Sequence, residues 1–594
     1  MGGMGGKAKD TRGTLVRLWA YLKHQKWGLL AVFALVALSS VLGLFGPLLM
    51  GQAIDLFALG ADLPGMVRIA LWMIGVYAAA AATTWLQGIL MASVAQRTVR
   101  DIRNDLFAKL QTLSLRFFDQ RTRGELMSRL SNDVENISNV LNQSVTQLFS
   151  SVLSLIGITI MMFVINVPLA VVSLITLPLM ALLSQQVAKR TRQGFQEQQE
   201  SLGDLNGIIE ETITGQHVVK AYVREQAILD EFEVSNRRLQ RAATRAETLS
   251  GFMGPVMGMI NNFSFAIIVG AGGWMAVQGI ATVGTIVTFV NYARQFMRPL
   301  SQLAQLYTTI QSAIAGAERV FEVIDEVPEL VDAPGALPLD EIKGDVSFDH
   351  VTFGYDAETP VLKDVNLHAE PGQTIALVGP TGAGKTTIVN LLTRFYDIDQ
   401  GNIHVDGVDI RQVKKHDLRR QLGIVLQDMF LFSGTVMENI RYGRLDATDK
   451  EVIAAAKLAN ADTFIHRLPR GYGTELSERG SNLSEGQRQL ISIARAILAD
   501  PSILILDEAT SSVDTRTEKQ IQEAMLRLMQ GRTSFVIAHR LSTIREADKI
   551  LVINGGEIVE RGTHQALLAE GGFYHNLYMS QFKGQQQTIP EVAA

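Results

Sequence analysis

Long runs of apolar residues with almost no charge fill the first half of the chain and stop before the second. Such runs are too many to share one water-soluble core, and a helix of about 20 residues is what crosses a hydrocarbon layer roughly 30 Å thick. Six can be marked, at residues 27–50, 69–94, 145–165, 169–187, 252–277 and 283–304. They predict an all-α transmembrane domain of six helices over residues 27–318, embedded in a lipid bilayer.

Lysine and arginine set the expected orientation. The leader, residues 1–26, carries Lys7, Lys9, Arg12, Arg17, Lys23 and Lys26, and the two long connections, 95–144 and 188–250, are rich in both residue types. The connection 51–68 has only Arg68, the turn Asn166-Val167-Pro168 and residues 278–282 have none. By the positive-inside rule the leader and the long connections are cytoplasmic, as are both termini. Residues 14–23 alternate apolar and basic side chains at helical spacing, as an interfacial elbow helix does, with a solvated lead-in as the plainer alternative. The opening MGGMGGKAKD predicts neither a cleaved signal nor a lipid anchor.

Both long connections keep a helical period, so they extend the membrane helices about 30 Å into the cytosol before turning back. The turns are expected at 117–125, FFDQRTRGE, and 215–224, GQHVVKAYVR. Within the apolar runs Asn261, Asn262, Asn291 and Arg294 stand out. A lipid-exposed arginine at such depth costs about 2.5 kcal/mol or more, so a substrate-lining role is expected, against interhelical hydrogen bonding as the structural alternative.

Composition removes several classes. The chain has no cysteine, which excludes disulfides, thiol nucleophiles and cysteine-ligated metals. Its net charge is -5 and its basic residues gather around the apolar runs, so a nucleic-acid partner is not expected.

Beyond Glu318 the pattern changes. Residues 328–344, PELVDAPGALPLDEIKG, are rich in proline and acid, which places a linker at 319–344. From 345 to 583 stretches such as VSFDHVTF alternate with helical ones, predicting an α/β domain with a helical subdomain, and 584–594 reads as a disordered tail. Gly379 to Thr387, GPTGAGKTT, follows an apolar strand and precedes a helical run. This is a P-loop: small residues (Gly379, Thr381, Gly382, Ala383, Gly384) let backbone N–H groups wrap phosphates, Lys385 reaches β and γ oxygens, Thr386 ligates Mg²⁺, and Thr387 completes the cradle. SILILDE, ending in Asp507 and Glu508, supplies an acid to organise Mg²⁺ and one to polarise the attacking water. ATP and Mg²⁺ are therefore the expected ligands of an α/β P-loop NTPase.

Residues 483–498, LSEGQRQLISIARAIL, directly upstream of the acidic strand, resemble the signature motif of the ABC transporter family. The resemblance covers the whole chain and is similar to bacterial multidrug and lipid exporters, which carry the membrane domain before the ATPase. It implies that Tyr355 stacks on adenine, that Gln427 senses Mg²⁺ and the water, that Asp514 is the D-loop aspartate and that His539 contacts the γ-phosphate. It also implies catalytic roles for Glu508, His539 and Gln427, metal ligation by Thr386, Gln427 and Asp507, and nucleotide contacts from Ser484, Gly486 and Gln487. TELSERG, residues 474–480, resembles the segment that meets coupling helices in exporters. Two such ATPase domains sandwich two nucleotides, so a second half-transporter subunit is required. Glu485 departs from the family's usual glycine and sets a carboxylate near the opposing γ-phosphate. That departure favours a heterodimer whose partner keeps the consensus signature, with a homodimer as the alternative. The resemblance thus implies ATP-driven export of amphiphilic substrates (drugs, lipids or peptides) across the bacterial cytoplasmic membrane by alternating access. An ATP-gated channel or regulator, and an importer on the exporter fold, are the rival readings.

Overall fold

The computed structural model describes residues 10–58, 62–328, 331–356, 358–426, 429–507, 514–538 and 540–581, with side chains inside helices left out over 176–188 and at scattered other positions. The chain divides into two compact units, Met1–Gln111 with Arg123–Glu326, and Thr112–Thr122 with Val327–Ala594. The leader before Asp10 and the tail 584–594 lie outside the described residues.

The first unit is entirely helical. Its long helices are Lys26–Ala58, Leu63–Leu110, Arg123–Ile165, Val167–Thr214, Glu225–Val277 and Val283–Asp325. A helix of 48 residues such as Leu63–Leu110 is about 72 Å long, more than twice the hydrocarbon thickness, so the apolar segment and the long connection after it form one continuous helix. Among the described residues four helices are long and apolar enough to cross a membrane: Lys26–Ala58, Leu63–Leu110, Arg123–Ile165 and Glu225–Val277. Segment 169–187 lies largely where side chains are outside the description, and 283–304 carries Asn291, Arg294 and Arg298. The turn-backs fall to two short helices, Gln216–Ala221 in this unit and Leu115–Asp119, which belongs to the second.

Residues 51–68 are not the open loop the sequence suggested, since one helix continues to Ala58 and the next begins at Leu63. Packing against the last long helix explains the difference. A Cβ on Gly284 would lie 2.1 Å from the Gly51 carbonyl oxygen, so the two backbones touch there. Small residues allow such approach between membrane helices. Asp55, one turn further, accepts hydrogen bonds from the Gly284 N–H and the Thr282 hydroxyl, both at 2.7 Å. Nearby, Pro47 interrupts the helical ladder, and the fully buried Tyr292 donates to the Leu44 carbonyl at 2.7 Å. A proline has no N–H to return to the carbonyl four residues before it, so the ladder beside Leu44 is already one bond short.

The same helix ends at Asp325 rather than near Glu318, so the start of the expected linker is helical. Val320, Phe321 and Val323 are buried there. Arg319 makes a two-pronged ion pair with Asp133, with Nε at 2.9 Å from Oδ2, and Asp133 is only 4 % exposed. Arg319→Met strands that carboxylate, and because the arginine itself is partly exposed the expected loss is about 2–3 kcal/mol of stability, toward the low end for breaking such pairs. Thermal unfolding in detergent checks this, and adding Asp133→Asn should recover most of the loss.

The lead-in helix Thr11–Lys23 is capped by Asp10, which accepts from the Gly13 N–H at 2.9 Å. Its Arg17 pairs with Asp325 and lies 4.4 Å from the Phe321 ring centre, and Tyr21 donates to Asp105 at 2.7 Å. Leu15, Val16 and Trp19 stay exposed, the apolar face an interfacial helix offers to lipid.

The second unit holds a six-stranded sheet in the order Glu557–Gly562, Lys549–Asn554, Thr374–Val378, Thr533–Ile537, Ile503–Asp507, Leu422–Val425. All neighbours are parallel except the first pair. A four-stranded antiparallel sheet, built on Val346–Phe353 between Leu362–Ala369 and Gln400–Val405, shares a core with the P-loop helix through Phe348, Leu362 and Ile388. Strands buried on both faces read as unbroken apolar runs, as in ILIL and TSFVI. A separate apolar cluster around Leu490, Ile491, Val452 and Ile440 forms the helical subdomain.

Candidate nucleotide site

The strand Thr374–Val378 is buried from Ile375 onward and delivers the chain into the glycine loop. Gly382 and Gly384 have φ of +80° and +104°, values that side chains with a Cβ rarely adopt. Gly379 is pinned differently: a Cβ there would meet the Ile553 carbonyl oxygen at 2.2 Å. The helix Lys385–Leu392 starts directly after the loop, so its free N–H groups and partial positive charge point at whatever the loop encloses.

Lys385 is 8 % exposed and donates to the carbonyls of Gly379 and Pro380 at 2.8 and 2.9 Å. Burial pushes its ammonium pKa down, opposed by the charge of Asp507. A desolvated cation whose hydrogen bonds among the described residues go to neutral carbonyls is a favourable partner for phosphate oxygens. Thr381 and Thr386 are exposed, whereas Ala383 and Thr387 are buried. Thr386 stands in the first turn of the helix and Asp507 ends its strand, hard oxygen donors of the kind Mg²⁺ takes.

Parallel pairing fixes how these groups meet. Thr533–Ile537 lies between the P-loop strand and the Asp507 strand, with Ile537 opposite both Leu377 and Asp507. All three therefore end on the same edge, where ligands bind in open α/β sheets. Gln427, Glu508 and His539 lie outside the described residues. Val425, Asp507 and Ala538, which precede them in the chain, are described.

Tyr355 is half-buried, with its ring edge-on to Tyr396 at 5.2 Å and its hydroxyl 3.3 Å from both Thr387 Oγ1 and Asn390 Nδ2. The short helix Leu115–Asp119 belongs to the same unit. Arg116 donates to the Tyr355 carbonyl at 2.7 Å, and Asp119 accepts from the Tyr396 hydroxyl. The sequence carried no sign of this network, because its members lie more than 200 residues apart.

Ser484 caps the helix Glu485–Ala499 in a reciprocal box with Gln487, Gln487 N–H to Ser484 Oγ at 3.3 Å and Ser484 N–H to Gln487 Oε1 at 3.0 Å. Glu485 sits in the first turn and Gly486 is buried. A carboxylate at that position suits the helix dipole, a local gain of about 0.3–1 kcal/mol. Asp514 caps the helix Thr515–Met529, and hydrogen bonds from Thr517 and Arg516 hold its carboxyl below the usual range. In TELSERG, Glu475–Leu476 pairs with Gly434–Thr435.

In the first unit, Asn261 and Arg294 line one tight crevice with Phe265, over which the Arg294 guanidinium lies at 5.9 Å. Its free volume is only about 10 Å³, roughly what one water occupies. Asn291 donates to the Val287 carbonyl of its own helix at 2.9 Å, and Asn262 is exposed and outside the crevice. Among the described residues, Asn261 and Arg294 thus line a crevice with room for little more than a water. A larger polar cavity lies at Gln295, Arg298 and Gln302. Their helical spacing inside an apolar run was the available signal.

Two family models match the chain, the ABC transporter transmembrane region over residues 29–300 and the ABC transporter domain over residues 362–511. An uncharacterised ABC transporter ATP-binding protein of Bacillus subtilis is 49% identical over 97% of this chain and 96% of its own. A fatty acid ABC transporter ATP-binding/permease protein of Mycobacterium bovis is 46% identical over 87% of this chain and 82% of its own. Among solved structures, a bacterial Atm1-family ABC exporter with ATP bound is similar at a TM-score of 0.75 and 32% identity, over 94% of this chain and 98% of that one.

Proposed function

The chain belongs to the ABC transporter family, with a transmembrane region and an ATP-hydrolysing domain on one polypeptide, and from that premise we propose that it is half of a dimeric exporter moving an acyl-chain amphiphile outward across the bacterial cytoplasmic membrane. The observation that carries the reading is the convergence of the P-loop, Asp507 and the strand before His539 on one sheet edge, in a chain whose other unit is built of membrane-length helices. Its likeness to a fatty acid transporter and to an exporter structure supports the substrate class and direction. Six crossings, with both termini cytoplasmic, agree with the helix lengths and the lysine and arginine bias.

In this reading the loop N–H groups and Lys385 bind the phosphates, and Tyr355 stacks on the adenine. Thr386, Gln427 and Asp507 would hold Mg²⁺, which would supply charge neutralisation to the phosphates. Glu508 orients the attacking water, and His539 contacts the γ-phosphate. Ser484, Gly486 and Gln487 face the partner's nucleotide, with Asp514 beside them. ATP must bind the closed dimer better than the open one to drive the change, since equal affinity shifts nothing.

Glu485 favours a heterodimer, because it adds a carboxylate where the partner's γ-phosphate docks. One observation favours a homodimer: the same carboxylate stabilises its own helix start. ATPase activity in lipid decides, with the chain alone, then co-expressed with a second half-transporter, each against Glu508→Gln and Glu485→Gly. The heterodimer reading expects weak turnover alone, strong turnover in the pair, and a loss of about 100-fold or more with Glu508→Gln. Full turnover by the lone chain, unchanged by Glu485→Gly, overturns it.

A further inference from the structure

A cavity of about 600 Å³ opens between the helices Leu63–Leu110, Arg123–Ile165 and Val283–Asp325. Its lining is polar for a membrane domain and includes Gln87, Gln147, Ser154, Gln295, Arg298 and Gln302, with Ile158 as its one large apolar side chain. Among the described residues no carboxylate lines it. Gln302 accepts from Ser151 at 3.4 Å, whereas Gln87, Gln147, Gln295 and Arg298 have no side-chain hydrogen bond or ion pair among the described residues. Pro299, in the same helix, has no N–H to return to the Gln295 carbonyl, which leaves one more acceptor at the wall.

Arg298 lies 15 residues past Val283, roughly 22 Å along the helix and so in the cytoplasmic half of the hydrocarbon layer. An arginine at that depth is strongly disfavoured without an anion or a polar cavity around it. Here it has the cavity and, among the described residues, no acidic partner. Amides and hydroxyls that neither donate to nor accept from the protein can satisfy an oxyanion's remaining lone pairs, and the planar guanidinium suits carboxylate or phosphate bidentately.

Resting on the acyl-amphiphile reading above, we propose that this cavity is the headgroup site of the transported molecule, and that it selects an anionic head, carboxylate or phosphate, through Arg298. The volume suits a headgroup with a few methylenes, not a whole lipid, so the acyl chain extends out of the cavity past Ile158. Loading from the inner leaflet requires no full extraction into water, because the acyl chain can stay in the hydrocarbon layer while the head enters the polar cavity.

The test uses the full chain, with its partner where one is needed, in phosphatidylcholine nanodiscs. The concentration giving half-maximal ATPase stimulation is measured for a C18 fatty acid, its methyl ester and phosphatidylglycerol. Arg298→Gln should raise that concentration about tenfold or more for the anionic ligand, and Arg298→Lys should restore it to within about threefold. Gln302→Leu keeps the charge and is expected to raise it about threefold. A response to the fatty acid alone identifies a free carboxylate, a response to phosphatidylglycerol alone identifies a phosphodiester, and either supports the site. Stimulation that Arg298→Gln leaves unchanged, or that the methyl ester matches, overturns the headgroup site while leaving lipid export standing. If none of the three lipids stimulates the wild-type protein, the acyl-amphiphile reading itself fails and the site with it.

Discussion

Lys385→Ala is expected to lower ATP turnover by about 100-fold or more, with the fold intact. The side chain is buried beside Asp507, and its ammonium donates to the Gly379 and Pro380 carbonyls. In that setting burial already disfavours the charge, so two phosphate groups bring an interaction that bulk water would have weakened. Removing the ammonium leaves the β and γ oxygens without their one fixed cation from the loop. Arg is no substitute, because the fork is wider than the space a compact ammonium fills. Phosphate release and the affinity for a fluorescent ATP analogue check the claim. Turnover within about fivefold of wild type in Lys385→Ala contradicts the assignment.

Gly284→Val is expected to cost about 3 kcal/mol or more, enough to prevent assembly of the membrane unit. Its Cβ would stand 2.1 Å from the Gly51 carbonyl oxygen and 2.6 Å from Asp55 Oδ2, and neither backbone nor a carboxylate held by two hydrogen bonds can yield that distance. The helix pair must separate, which also loosens the Tyr292 bond to Leu44 further along the same seam. Gly270→Ala is the control, since a Cβ there meets nothing within 4 Å. Melting in detergent reads both variants, and equal stabilities for the two would contradict the close approach.

Much of the architecture was legible because its signals are local. Apolar runs of membrane length and the strand-loop-helix order around Lys385 are each written in one contiguous stretch of chain. The parts that were not legible depend on contact across the chain. Nothing local to Gly51 reveals that Gly284 touches it, so its run was read as the start of a loop rather than as helix. The end of the last long helix was misjudged for a similar reason: AERVFEVID reads as charged and mixed until Asp133 supplies a partner for Arg319. In the membrane unit Arg294 drew notice by its charge, whereas the roomier cavity lies one turn on, at Arg298, where residues from three helices converge.

The most direct test is ATP-driven movement of an acyl-chain fluorophore between leaflets of proteoliposomes, with the wild-type protein compared with Glu508→Gln in the same vesicles. Export predicts accumulation in the leaflet opposite the ATPase domains, proportional to ATP hydrolysed and absent in Glu508→Gln. Rapid ATP hydrolysis with no more movement than in Glu508→Gln would contradict it.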